Sequence, residues 1–188
     1  MTVTCFGELL LRLAPPGHQL LVQASSLDLV VAGAEANVGA ALASLGHDVR
    51  FASVIPGNPP GERAVAALRA AGIDTRHVAR TPGRMGLYFL EVGAGARASQ
   101  ITYDRAGSAF ASAAPDAIDF AGALAGSRLL HAGGITPALG PGGVALARAA
   151  RGADCACPRC GLFLCLSAYA GSLAAGGGDG AAVLALGG

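Results

Sequence analysis

Two stretches of the sequence group residue types that bind oxygen-rich small molecules. The first, ITYDRAGSA, places Tyr103, Arg105 and Ser108 within six residues of one another. A guanidinium can bind a carboxylate through two parallel hydrogen bonds, and a tyrosine presents a hydroxyl on a rigid ring. The alternative is a solvated edge strand in which Arg105 pairs with Asp104 or has no partner. Taken alone, this stretch favours the alternative.

The second stretch, VAGAEANVGAALASLG, puts Gly33 and Asn37 where a strand-like segment passes into a helix. A glycine lets the backbone approach a ligand closely. The asparagine amide offers a donor and an acceptor, which a polyol hydroxyl requires. The alternative is an ordinary loop before an alanine-rich helix, and the spacing alone favours that alternative.

A third stretch, CACPRCGLFLC, holds four of the five cysteines, at Cys155, Cys157, Cys160 and Cys165. One hypothesis is a zinc or redox site. The spacing is not that of a usual structural zinc site, because no second cysteine pair follows. The four histidines, at positions 18, 47, 77 and 131, also lack metal-ligand spacing, so we predict no metal site.

The elements that must position these residues follow from the hydrophobic pattern. Strands are predicted at residues 2–6, 49–54 and 128–132, with helices at AEANVGAALASLG, PPGERAVAALRAAGI and GPGGVALARAARG. Alternating strands and helices predict an α/β fold whose mostly parallel sheet is covered on both faces. A hairpin at residues 86–104 does not fit that alternation. Together with residues 9–31 it predicts a small sheet that stands off the main one.

Composition restricts the class of protein. The 188 residues are 53% hydrophobic and 13% charged, which predicts a domain with a real core. The net charge of +1 gives no electrostatic reason to expect nucleic acid or an anionic membrane as a partner. All 13 basic residues are arginine, which excludes a mechanism that needs lysine.

The N-terminus lacks a signal-peptide pattern, because Glu8 and Arg12 interrupt the first apolar run. We therefore expect a cytoplasmic protein. The uncharged segment 160–178 is just long enough to span a membrane. Its five glycines and the absence of a flanking basic cluster argue against a span. Glu8 itself either approaches a ligand site or is a charge at a strand end.

Taken together, the motifs resemble one family. The segments CFGELLLRL, AGAEANVGAALASLGHDVRFASVIPGNPPGERAVAALRAAGID, GLYFLEVGAGARASQITYDRAGSA and RLLHAGGITPAL occur in the order and spacing of the ribokinase-like (PfkB) carbohydrate kinases. GAEAN together with YDRAGSA resembles the 2-keto-3-deoxygluconate kinase branch. The resemblance covers residues 2 to about 151 and implies a doubly wound α/β domain with a small β lid.

The resemblance also implies a site and a reaction. Gly33, Asn37, Tyr88, Tyr103 and Arg105 would line the sugar-acid site, with Arg105 binding the substrate carboxylate and Gly33 leaving space. The reaction would transfer the γ-phosphoryl group of ATP to the terminal hydroxyl, with Mg²⁺. An aspartate would take the hydroxyl proton, and N–H groups at a helix N-terminus would hold developing charge. The family further suggests that the lid could form a homodimer.

The sequence departs from the family pattern after about residue 152. LFLCL can serve as the next strand, but the acidic, amide and arginine cluster expected after it is absent. We therefore divide the chain into a kinase-like part, 1–152, and a divergent tail, 153–188. For the tail we favour a truncated, frameshifted or degraded sequence over two alternatives. These are the cysteine site and a catalytic loop in GGGDG with Asp179 as a candidate base.

On this interpretation the C-terminal half of the kinase domain is missing or degraded, so we expect the chain to be inactive alone. Phosphoryl transfer depends on positioned phosphates, metal and base. Two other functions stay open. The chain could be a non-catalytic sugar-acid-binding or interaction module, or a PfkB kinase for another sugar such as fructose or ribose.

Overall fold

The computed structural model describes residues 1–155 and 161–165. These ranges contain strands β1 (Thr2–Phe6), β2 (Leu10–Ala14), β3 (Asp28–Ala32), β4 (Asp48–Pro56), β5 (Asp74–Thr81), β6 (Gly86–Glu91), β7 (Gln100–Asp104), β8 (Leu129–Gly133) and β9 (Gly161–Cys165). The helices are α1 (Ala34–Ser44), α2 (Pro59–Ala70), α3 (Phe120–Leu124), α4 (Ile135–Ala138) and α5 (Pro141–Cys155), and a short 3-10 helix covers Leu21–Gln23.

Five strands form a parallel sheet in the order β5-β4-β1-β8-β9. Val3 on the central strand β1 lies opposite Val49 on β4 and Leu129 on β8. The three strands predicted from the hydrophobic pattern are therefore confirmed, and LFLCL forms β9 beside β8. Strand β5 was not predicted, since its residues, DTRHVART, alternate weakly and carry three charges.

The two faces of this sheet carry separate hydrophobic clusters, which confirms the predicted α/β architecture. Val3, Phe51 and Val65 belong to the cluster on the face of α1 and α2. On the other face, Phe6 packs edge-on against Phe120 of α3 at a ring-centroid distance of 4.9 Å, and α5 adds to the same cluster. Burying each such large apolar side chain contributes about 1.5–3 kcal/mol.

The remaining strands form a second sheet in the order β3-β2-β6-β7, which we call the lid. Strand β2 pairs antiparallel with β3 and parallel with β6, and β6–β7 is the predicted hairpin. Alternation along β2 gives the lid two faces. Leu11 packs with the cluster of the α1–α2 face. Leu10 faces the opposite way, toward the space between the lid and the main sheet.

The lid is joined to the carboxyl ends of the main strands. Gly7 and Glu8 follow β1 and connect it to β2, while Gly33 connects β3 to α1. Ligands of open α/β sheets bind in the crevice outside the carboxyl ends of the strands. The fold therefore places the lid over the edge where such a crevice forms.

Part of the predicted tail falls outside the described residues. The residues outside the description include Cys157, Cys160 and Asp179, so the zinc or redox hypothesis and the catalytic-loop hypothesis stay predictions. The boundary at residue 152 also stays a prediction. Most of the uncharged segment 160–178 also lies outside them. Across the described ranges, no helix is long and apolar enough to cross a membrane. The same ranges contain no group of three or more metal-ligating side chains placed to hold an ion.

Candidate functional site

A cleft of about 230 Å³ lies between the lid and the carboxyl ends of the main strands. The lid, the two connections described above and the start of α4 all contribute to its walls. Apolar side chains supply part of the lining, from Leu10, Ala32, Ile101 and Ile135. The cleft thus combines apolar walls with a few polar groups, which is typical of small-molecule sites.

All five residues that the family resemblance implied lie on the wall of this cleft. Gly33 is the last residue before α1, and Asn37 lies in the first turn of that helix. Tyr88 comes from β6, Tyr103 from β7 and Arg105 from the segment after β7. Residues that are far apart in sequence are therefore brought together, although their role in binding stays a prediction.

The two tyrosines are positioned by strand pairing. Tyr88 and Tyr103 are directly opposite each other across β6 and β7. Their ring centroids are 5.7 Å apart with an interplanar angle of 42°. The guanidinium carbon of Arg105 lies 5.7 Å from the centroid of the Tyr103 ring. The three side chains are therefore adjacent on one wall of the cleft.

Arg105 is paired with Glu8, which corrects the alternative that it pairs with Asp104 or has no partner. Arg105 donates from Nε to Glu8 Oε2 at 2.9 Å and from Nη2 to the same oxygen. Ser108 Oγ donates to Glu8 Oε1 at 2.6 Å. Asp104 instead pairs with Arg84 at 2.7 Å on the surface. Of the two interpretations of Glu8, the structure supports an approach to the site.

Gly33 allows a close approach of backbone to backbone. A Cβ built at this residue would lie 3.0 Å from the carbonyl oxygen of Glu8 and 3.3 Å from the Cβ of Ala36. A side chain at this position would require the connection after β1 or the start of α1 to move by a few tenths of an ångström. Gly33 also lines the cleft, and the space for a ligand that the family resemblance attributed to it stays a prediction.

Glu35 also lines the cleft and was missed by the sequence analysis. Its carboxylate lies between Gly7 and Gly133, the residues at the carboxyl ends of β1 and β8, and a Cβ at either glycine would overlap it. The pKa of Glu35 is raised, chiefly by burial, and the charge of Glu8 adds to the increase. Hydrogen bonds from the backbone N–H groups of Glu35 and Gly133, together with the charge of Arg105, oppose it. The available signal was an acidic residue within the Ala/Gly-rich GAEAN.

Cys5 and His131 lie opposite each other on β1 and β8, beneath the cleft. Burial, and then the charge of Glu35, raises the pKa of the Cys5 thiol to about 12. Burial also lowers the pKa of His131. At neutral pH the thiol is therefore protonated and the imidazole uncharged, so neither group adds charge beneath the site.

Arg12 lies on β2 and is not among the residues that line the cleft. It lies directly opposite Tyr88 in the parallel pairing of β2 and β6, on the face that also carries Leu10. Its Nε is buried and makes no hydrogen bond with any described residue. Buried donors without partners are uncommon and costly in proteins.

Comparison with known proteins identifies carbohydrate kinases as relatives of this chain. Residues 2–160 match the family model described as pfkB family carbohydrate kinase. A 2-dehydro-3-deoxygalactonokinase of Haloferax volcanii is 37% identical over 136 residues, which cover 71% of this chain and 42% of that protein.

Solved structures of carbohydrate kinases also superpose on this chain. The 2-dehydro-3-deoxygluconokinase of Thermotoga maritima superposes with a TM-score of 0.85 at 40% identity, over 90% of this chain and 52% of that one. A PfkB family carbohydrate kinase of Listeria grayi gives 0.84 at 35% identity, over 90% and 53%. The chain thus spans about half the length of these relatives.

Proposed function

The chain belongs to the pfkB family of carbohydrate kinases, and we propose that it forms the sugar-acid-binding part of an ATP-dependent 2-keto-3-deoxygluconate kinase. The reaction forms a bond between the terminal hydroxyl oxygen of the sugar acid and the γ-phosphorus of ATP. The bond to the bridging oxygen of ADP breaks, and a base takes the hydroxyl proton. The product is the 6-phosphate.

The observation that carries the proposal is the convergence of a basic, an amide and two phenolic side chains on one cleft. A six-carbon sugar acid offers a carboxylate at one end and hydroxyls along its chain. Arg105 would bind the carboxylate, Tyr88 and Tyr103 would bind hydroxyl or keto oxygens, and Asn37 would both donate and accept.

The nucleotide and Mg²⁺ are not assigned to particular residues. The polar residues that line the cleft match the groups of a sugar acid, and none of them is assigned to ATP. In the ranges that the structure covers, no acidic cluster fits a metal ion. ATP is the co-substrate in this proposal because the pfkB family consists of carbohydrate kinases.

A binding experiment tests the proposed ligand. Isothermal titration of the chain with 2-keto-3-deoxygluconate should give saturable binding, and its methyl ester should bind more weakly. Arg105→Ala should reduce binding of the acid far more than binding of the ester, because the ester carries no charge. Equal losses for the two compounds would show that Arg105 does not bind a carboxylate.

The name of the Haloferax volcanii relative supports a second candidate substrate, the epimer 2-keto-3-deoxygalactonate. Isothermal titration with both epimers, fructose and ribose would rank these sugars as ligands of the cleft, and a radiolabelled-ATP assay would reveal any phosphoryl transfer. We expect no steady turnover by the 188-residue chain alone. Turnover that is abolished by Asp179→Asn would instead make Asp179 the base.

A further inference from the structure

Glu8 is a carboxylate built into the wall of the cleft. Its side chain is only 3% exposed. Gly86 at the start of β6 approaches it so closely that a Cβ there would lie 2.6 Å from Glu8 Oε1. A carboxylate is costly to bury unless it is paired and hydrogen-bonded, so its partners define what it does.

Both oxygens of Glu8 are already engaged. Oε2 accepts from Nε and Nη2 of Arg105, and Oε1 accepts from the hydroxyl of Ser108. The Nε edge of the guanidinium is therefore occupied by the protein's own carboxylate. A ligand carboxylate can use only the N–H groups that remain on Arg105.

This pairing also compensates the charge of Arg105 in the cleft. The pair formed by Glu8 and Arg105 carries no net charge, and the carboxyl of Glu35 is a further acidic group on the same wall. A simple carboxylate entering the cleft thus meets no uncompensated positive charge from Arg105. A sugar acid would use the N–H groups that remain on Arg105 and gain additional hydrogen bonds from Asn37 and the tyrosines, so the loss of the Glu8 charge should affect it less than acetate.

We infer that Glu8 is a specificity-determining residue, the resident counterion of Arg105, which orients the guanidinium and excludes carboxylates that lack a hydroxyl-bearing chain. The substrate class in this inference rests on the proposed function. The role of Glu8 toward simple anions does not, and it can be measured separately.

The test compares acetate with 2-keto-3-deoxygluconate as NMR-titration ligands for the full chain, after circular dichroism has verified folding of each variant. Glu8→Gln removes the negative charge at nearly constant volume and leaves Arg105 uncompensated. The affinity for acetate should rise by about tenfold or more and the affinity for the sugar acid by a smaller factor, so the Kd of acetate divided by the Kd of the sugar acid should fall. Asp104→Asn neutralises the exposed ion pair nearby and should leave the ratio unchanged.

An unchanged ratio in Glu8→Gln, or a parallel loss for both ligands, would reduce Glu8 to a structural role and overturn the inference. If the wild type does not bind the sugar acid while Glu8→Gln gains acetate, the proposed function fails and the counterion role stands. If Glu8→Gln does not fold, the side-chain Nε–H resonance of Arg105 in the wild type provides the test. Millimolar acetate should leave it unmoved, and a saturable shift would contradict the inference.

Discussion

Glu8→Gln should destabilise the protein much more than Asp104→Asn, although each change neutralises one carboxylate of an arginine pair. The two pairs differ in burial. The side chains of Arg105 and Glu8 are 16% and 3% exposed, whereas those of Arg84 and Asp104 are 42% and 54% exposed. Removing one partner of a buried pair leaves a charge that water cannot solvate, which does not happen on the surface.

The magnitudes follow from that difference. Breaking a buried pair costs about 3–5 kcal/mol, and the glutamine amide can still accept one hydrogen bond from Arg105, so we expect about 3 kcal/mol for Glu8→Gln. The exposed pair contributes about 0–1 kcal/mol. Arg84 also keeps its hydrogen bonds to the carbonyl oxygens of Met85 and Ala106, which further limits the effect of Asp104→Asn.

Urea denaturation followed by circular dichroism measures both losses as free energies of unfolding. The chain has no tryptophan, so far-ultraviolet ellipticity is the suitable signal. The double variant Glu8→Gln/Arg105→Met removes both charges and should recover part of the loss. Equal losses for Glu8→Gln and Asp104→Asn would refute the view that burial makes the Glu8 pair important.

Three further predictions concern stability. Because the pKa of Glu35 is raised in the folded protein, the folded state holds this proton more tightly, and the free energy of unfolding should fall as pH rises above 4.5. Glu35→Gln should lack this dependence in denaturation curves measured from about pH 4 to 8. Gly133→Ala should cost about 1–3 kcal/mol through overlap with Glu35, and the same change in a Glu35→Ala background should cost measurably less. Arg12→Met removes a buried unpaired donor and should raise the free energy of unfolding by about 1 kcal/mol; a decrease would mean that Arg12 has a stabilising partner.

A fifth prediction concerns assembly through the lid. Val30 on β3 and Ile101 on β7 are 39% and 38% exposed. If the lid mediates the homodimer that the family suggests, Val30→Arg should shift the protein to monomer in light scattering coupled to size exclusion. A monomeric wild type would contradict that mode of assembly.

The main strands were predictable because their residues form short apolar runs between turn signals. Strand β1 carries Val3, Cys5 and Phe6, all fully buried, and its bounds matched the prediction. Strand β5 was missed because only Thr75 and Val78 are buried in it, and its many polar residues obscure the alternating hydrophobic pattern. Its place in the sheet is fixed by pairing with β4, which is a tertiary effect.

Site residues that share one sequence motif could be predicted. Contacts between residues that are distant in sequence could not. Tyr103 and Arg105 share one motif, so the sequence grouped them. The partner of Arg105 lies 97 residues away, at Glu8, and nothing in the local sequence distinguishes this pair from one with the adjacent Asp104. Glu35 was missed for the same reason, because its surroundings form only when β1, β8 and α1 pack together.

The central claim, that the cleft under the lid binds a sugar acid, is tested most directly by mapping that ligand onto the chain. Titration of ¹⁵N-labelled protein with 2-keto-3-deoxygluconate should shift the amide resonances of Gly33, Asn37, Tyr88 and Tyr103 together, with one saturation curve. Shifts confined to other surfaces, or no saturable shift at all, would contradict the account.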